Sequence, residues 1–192
     1  MIGGIVGVAL ILATILISQG LYIKAKAMLA QVLLNQAWAE TMETNEPTRP
    51  WPWMDTWPIA RIEVPRLEQS AIALAGASGQ ALAFAPVHLR QSAMPGARGT
   101  SVFAAHRDTH FTFMAQLKEG DRINMTNSSG EIFEYEIQSF RIVPWNNSGI
   151  DPDSLERKLA LVTCWPLDGT FAGPMRFIAE ANLVSSAPVL TQ

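Results

Sequence analysis

The sequence predicts a mainly β domain, an antiparallel barrel or sandwich, behind one N-terminal membrane-spanning helix. Three observations point there. Ile2–Ile23 holds no charged side chain; the first is Lys24. Roughly 20 apolar residues match one bilayer span. From Ile59 onward, short runs of alternating apolar and polar residues recur between turn formers, the pattern of half-buried strands. Helical patterns are few in that region, so sheet packing on sheet is the expected architecture.

Composition narrows the function classes. The chain has 192 residues, 48% hydrophobic and 16% charged. Its mean hydropathy is positive, +0.14, with the excess at the N-terminus. The remainder suffices for one compact domain. Net charge is −3, with no basic block, so nucleic-acid binding has no electrostatic footprint. Cys164 is the only cysteine, which excludes an intramolecular disulfide. In an exported protein a lone cysteine is a candidate reactive thiol, the alternative being a buried structural residue.

The elements follow in order. No small-x-small cleavage site closes Ile2–Ile23, so an uncleaved anchor over residues 1–24 is expected rather than a signal peptide. A buried core helix fits poorly, because the segment has no polar face. Lys24 and Lys26 follow the span and nothing basic precedes it, so the positive-inside rule places the domain in the cytoplasm. Lys24–Glu46 has helical composition, with Met28, Leu29, Val32, Leu33 and Gln36 at helical spacing. It reads as a stalk helix, ended by Pro47, Pro50, Pro52 and Pro58. Trp51, Trp53 and Trp57 interleave with those prolines. They suit an interfacial anchor or, the favoured alternative, a segment packed on the domain surface. Stalk and Trp/Pro linker together cover residues 25–57, and the β domain 58–192.

Within that domain Ile62 and Val64 alternate with Arg61 and Glu63 as a first strand, and Ser70–Leu74 forms a second. Ser78–Phe84 makes one or two helical turns. Met94-Pro95-Gly96 and Gly99 are turn signals. Ser101–Ala105 is a strand ending at His106. Thr109–Leu117 reads as a short helix capped by Asp108 or Thr109, with Gly120 at its end. Arg122–Thr126 and Glu131–Val143 form a hairpin across Asn127-Ser128-Ser129-Gly130. Pro144–Asp153 is a loop. Leu159–Thr163 is an apolar, partly β-branched strand that stops at Cys164, since Pro166 cannot donate to a ladder. Gly169, Gly173 and Pro174 turn the chain into a last strand, Met175–Val184.

His106, Cys164 and Arg176 stand at strand ends, where a rigid scaffold presents reactive groups. If the last two strands pair antiparallel, Arg176 lies beside Cys164. A thiolate is a strong nucleophile, histidine protonates a leaving amine, and the arginine fork suits the oxyanion of a tetrahedral intermediate. Together they describe acyl transfer from a peptide through a thioester. Each has a plainer explanation: a surface histidine, a solvated arginine, a packed cysteine. A rival is zinc. His106 and His110 stand at i and i+4, and Cys164 supplies a third ligand. Arg107 in place of a catalytic glutamate, and the strand-like run before His106, count against it.

The run Leu161-Val162-Thr163-Cys164 with Arg176 downstream and Ala105-His106-Arg107-Asp108-Thr109-His110-Phe111 upstream resembles a sortase. Ala160 departs from the family's Thr-Leu-x-Thr-Cys at its first position. Ala85-Pro86-Val87-His88, Ala93-Met94-Pro95-Gly96, Cys164-Trp165-Pro166-Leu167-Asp168 and the Trp/Pro run add to the resemblance. It extends from about Arg49 to Val184 and is most similar to the class of Gram-negative, marine proteobacteria. The resemblance implies an eight-stranded β-barrel with short helices and the site at one end. It implies that Cys164 attacks a C-terminal sorting signal of an exported protein and hands the acyl group to an amine acceptor. His106 would be the general acid and Arg176 the oxyanion and substrate clamp. Thr163 would line the pocket, and the backbone N–H near Trp165 would add to the oxyanion site. His88 and His110 are expected to be structural or secondary. No cofactor and no metal are expected, as no acidic cluster appears. Exported substrates place the domain on the extracytoplasmic side of the inner membrane, against the bias of Lys24 and Lys26.

Overall fold

The computed structural model describes residues 2–169 and 173–188. Residue 1, residues 170–172 of the loop after Cys164 and residues 189–192 of the expected domain lie outside that range.

The helix α1 (Ile2–Thr44) runs unbroken through both the apolar segment and the expected stalk. Asn45 ends it with φ 57°, its N–H bonded to the Thr41 carbonyl at 2.9 Å, a left-handed cap that asparagine tolerates. The two halves differ in surroundings. Leu10, Leu16, Leu21 and Ile23 are all more than half exposed, so from Leu10 to Ile23 the helix is an apolar rod with nothing covering it among the described residues. In the second half Ala30, Leu34, Ala37, Trp38 and Thr41 are buried. They share one helical face, and it lies against the β domain. Asn35 accepts from the Arg61 guanidinium at 3.4 Å and Gln31 donates to the Phe84 carbonyl at 2.9 Å.

Eight strands close a barrel: β1 (Pro58–Val64), β2 (Gln69–Ala75), β3 (Val87–His88), β4 (Gly99–Ala104), β5 (Arg122–Asn127), β6 (Glu131–Pro144), β7 (Arg157–Cys164) and β8 (Met175–Pro188). Their order around the barrel is β1-β2-β3-β4-β7-β8-β6-β5. The expected barrel is present, with two departures from all-antiparallel pairing: β2–β3 and β4–β7 are parallel. A parallel join needs a long crossover, here the chain from β4 through β5 and β6 to β7. The two-residue β3 is too short to carry a periodicity.

The interior is filled by Ile62, Phe103, Phe111, Ile123, Met125, Tyr135, Leu159 and Leu161, none more than 1% exposed. Each such side chain contributes about 1.5–3 kcal/mol by leaving water. The Trp/Pro segment packs on the domain. Met54 is fully buried, and Trp51 meets Phe84 edge to face at 5.1 Å. The short helix α2 (Gly79–Phe84) is capped by Ser78, whose hydroxyl accepts the Ala81 N–H at 3.1 Å. The 3-10 helix Thr112–Gln116 replaces most of the expected Thr109–Leu117 helix. Neither Asp108 nor Thr109 caps it; Phe111 holds the cap position, and no side chain bonds there.

His88 lies 4% exposed on β3, with Nε2 at 2.9 Å from the Ala93 carbonyl and 3.1 Å from Ser92 Oγ. Burial pushes its pKa down, with the bond to Ala93 opposing, so the folded state holds it neutral. In the unfolded chain a histidine takes up its proton near pH 6.5. The stabilisation is therefore complete above that pH and is lost as pH falls below it. The midpoint of thermal unfolding should drop between about pH 7 and pH 5, and His88→Gln should flatten that slope. An unchanged slope in the variant would assign the pH dependence elsewhere.

Candidate active site

The site is built on β4, β7 and β8. The β4–β7 pairing runs in parallel register from Gly99↔Arg157 to Ala104↔Val162. Two further bonds extend it. The Ala105 N–H donates to the Val162 carbonyl at 3.2 Å, and Thr163 Oγ1 donates to the Ala105 carbonyl at 2.8 Å. Continuing the register sets His106 level with Cys164. On the other edge of β7, Cys164 pairs with Arg176. Directly opposed residues hold their Cβ atoms about 4.5–5.5 Å apart on one face. Arg176 on β8 thus pairs with Cys164 at the end of β7, and His106 lies two residues beyond the last β4–β7 pair.

Strand alternation decides which face they occupy. Leu159, Leu161 and Thr163 point into the barrel and are at most 2% exposed. Cys164 has the opposite parity, so it lies on the outer face, the same side of β7 as Ala160, which packs with Val102 and Ile178 in a small buried cluster. His106 is exposed, while Cys164 and Arg176 are partly covered. Cys164 is a free thiol. The Arg176 Nη1 donates to the carbonyls of Gly173 at 3.0 Å and Met175 at 2.9 Å, which holds its guanidinium at the loop entering β8.

Two expected roles need correction. Thr163 does not line an open pocket: it is 2% exposed and its hydroxyl is spent on Ala105. The Trp165 N–H does not face an oxyanion: it donates to the Met175 carbonyl at 3.1 Å, closing the hairpin beyond Cys164. The Trp165 ring stacks on Phe177 at 5.9 Å. His106 and His110 lie in turns rather than on one helix. Burial lowers the pKa of His110, and its Nε2 has no hydrogen-bond partner among the described residues. Among those residues no three His, Cys, Asp or Glu side chains gather where a metal ion could sit.

Arg107 entered the sequence reading only as the residue standing where a zinc site would place a catalytic glutamate. It is 5% exposed. Its Nη1 donates to the Pro166 carbonyl at 2.5 Å, and its Nε donates to Asp108 at 2.7 Å. One side chain therefore ties the loop after His106 to the loop after Cys164. The hydrogen bond to Asp108 raises the Arg107 pKa; burial opposes it, and the charges of Asp108, Cys164 and Asp168 add to the rise. In return Arg107 holds the Asp108 carboxyl below its usual range. The available signal was the arginine–aspartate pair directly after the histidine. Arg107→Met keeps the length of the side chain and removes its donors. Amide exchange over residues 165–169 should then accelerate about tenfold or more as that loop opens locally, with β1 and β2 unchanged. Equal exchange rates would remove Arg107 from the clamp.

Known proteins share this domain. The family model for the sortase domain matches residues 62–184. Sortase D of Bacillus subtilis is 30% identical over 125 residues, 65% of this chain, and the chain spans 63% of that protein's length. Sortase A of Corynebacterium diphtheriae superposes with a TM-score of 0.62 at 26% identity, covering 69% of this chain and 63% of that one. A sortase E variant of Streptomyces avermitilis gives 0.59 at 28% identity, covering 69% and 91%. With more than half its length matched by that domain, and the closed barrel to go with it, the chain belongs to the sortase family.

Proposed function

We propose that this chain is a membrane-anchored cysteine transpeptidase acting on a C-terminal sorting signal of exported proteins. The carrying observation is the parallel β4–β7 register that brings His106 level with Cys164 while Arg176 pairs on its other side. The Cys164 thiol gives its proton to His106 as its sulfur attacks the carbonyl of the scissile peptide bond, forming a tetrahedral intermediate. Arg176 swings from the Gly173 and Met175 carbonyls to the developing oxyanion, where a fixed cation favours the transition state over the ground state. His106 donates its proton to the departing amine, and the acyl group remains on sulfur as a thioester. An amine acceptor gives up its proton to His106 and attacks the thioester, and the sulfur leaves. Arg107 acts by positioning: it fixes the two loops that carry His106 and Cys164.

Anchoring rests on α1, which is long and apolar enough to cross a membrane by length and composition. The substrates are exported, so the domain faces the extracytoplasmic side; Lys24 and Lys26 oppose that orientation with only two charges, and the rule is statistical.

Cys164→Ala should abolish both cleavage of a sorting-signal peptide and the acyl adduct seen by mass spectrometry of the intact protein, with the fold retained. Turnover in that variant would end the proposal. An added amine should appear in a joined product; release of the free acid alone would make the chain a hydrolase. Arg176→Lys should lower kcat/KM about 100-fold, since lysine keeps the charge and loses the planar fork. A near-normal value would take Arg176 out of the mechanism.

A further inference from the structure

We infer that the catalytic end of the barrel faces the bilayer and rests against it, so that the site works at the lipid surface rather than at the end of a free stalk. The inference rests on the proposed anchoring and adds the orientation.

The direction of α1 relative to the barrel carries it. Residues 30–41 pack along the barrel side. Toward its N-terminus the helix meets the loop that follows His106: Tyr22, Ile23 and Lys26 line one cleft of about 600 Å³ with Thr109 and His110. The helix continues without a break. The apolar segment therefore projects beyond the end of the barrel that bears His106 and Cys164. At 1.5 Å per residue, residues 2–21 extend about 30 Å past it, the thickness of the hydrocarbon core.

Exposed apolar surface reaches that same level. On α1 it does not stop where the charges begin: Met28 is 65% exposed, Leu29 57% and Val32 52%. Lys24 and Lys26 lie within this stretch, where their long stems let the ammonium groups reach the headgroups. Trp145 begins the loop after β6 and is 65% exposed. Its N–H donates to the Pro174 carbonyl at 2.8 Å, and the adjacent register pair is Pro144↔Met175. Trp145 thus stands at the catalytic end, two strands from Cys164, and Ile142 near the end of β6 is 47% exposed. Tryptophan belongs at the boundary between headgroups and tails.

The opposite end of the molecule is identified by the same strands. β6 and β8 run antiparallel from Pro144↔Met175 to Glu131↔Pro188. The turn before Glu131, with exposed Ser129, is therefore about 40 Å of strand away from the site. It should lie farthest from the lipid.

The test uses the full chain in vesicles of phosphatidylethanolamine and phosphatidylglycerol with an acceptor dye on the headgroups. A donor dye is attached to Cys164, the only cysteine. For comparison it is attached to Ser129→Cys in a Cys164→Ala background. Energy transfer should be at least about twofold more efficient from Cys164, given some tens of ångströms between the two positions. Equal or reversed efficiencies, with the protein floating with the vesicles, would overturn the orientation and leave the anchoring intact. Protein that does not float with vesicles would overturn the anchoring and this inference with it.

Discussion

The pairing of β4 with β7 is the constraint on which the rest depends. It is parallel, so both strands leave the barrel at the same end, and the residue after each strand can meet its neighbour. Thr163 extends the pairing past the backbone ladder by giving its hydroxyl to Ala105. A buried hydroxyl and a buried carbonyl each cost about 1–3 kcal/mol if left unpaired, so neither can drift without the other. The histidine and the cysteine inherit their alignment from this bond, and the arginine inherits its own from the β7–β8 hairpin. Nothing in the site needs a side chain to reach far; the sheet does the placing.

How much was legible in the sequence follows from how local each interaction is. The β7–β8 hairpin was legible because turn formers separate two strand patterns, and pairing across them puts Arg176 opposite Cys164. The apolar start of α1 was legible as composition. The β4–β7 join was not, because Ala104 and Val162 meet only after the whole β5–β6 hairpin has been folded between them; strand periodicity says which face a residue takes, never which distant strand lies beside it. Family resemblance supplied that step. Asp108 shows a different limit. An aspartate before a short helix is an ordinary cap, but a buried guanidinium one residue earlier competes for the same carboxylate, and a charged hydrogen bond wins over a neutral backbone donor.

Polar groups around the site are spent on holding loops. Arg107 takes the Pro166 carbonyl, the Trp165 N–H takes Met175, and Arg176 takes Gly173 and Met175. Each bond fixes backbone near the thiol without occupying the thiol itself.

The most direct measurement of the central claim is a covalent ruler across β4 and β7. Neighbouring strands lie about 4.7–4.9 Å apart, inside the range of Cα separations that a disulfide spans. His106→Cys creates a second thiol level with Cys164. Mild oxidation of this variant should close an intramolecular disulfide nearly completely, with both thiols lost to alkylation and no dimer formed. If both thiols stay free under the same oxidant while the protein remains folded, His106 and Cys164 are not neighbours, and the catalytic assignment built on their proximity fails.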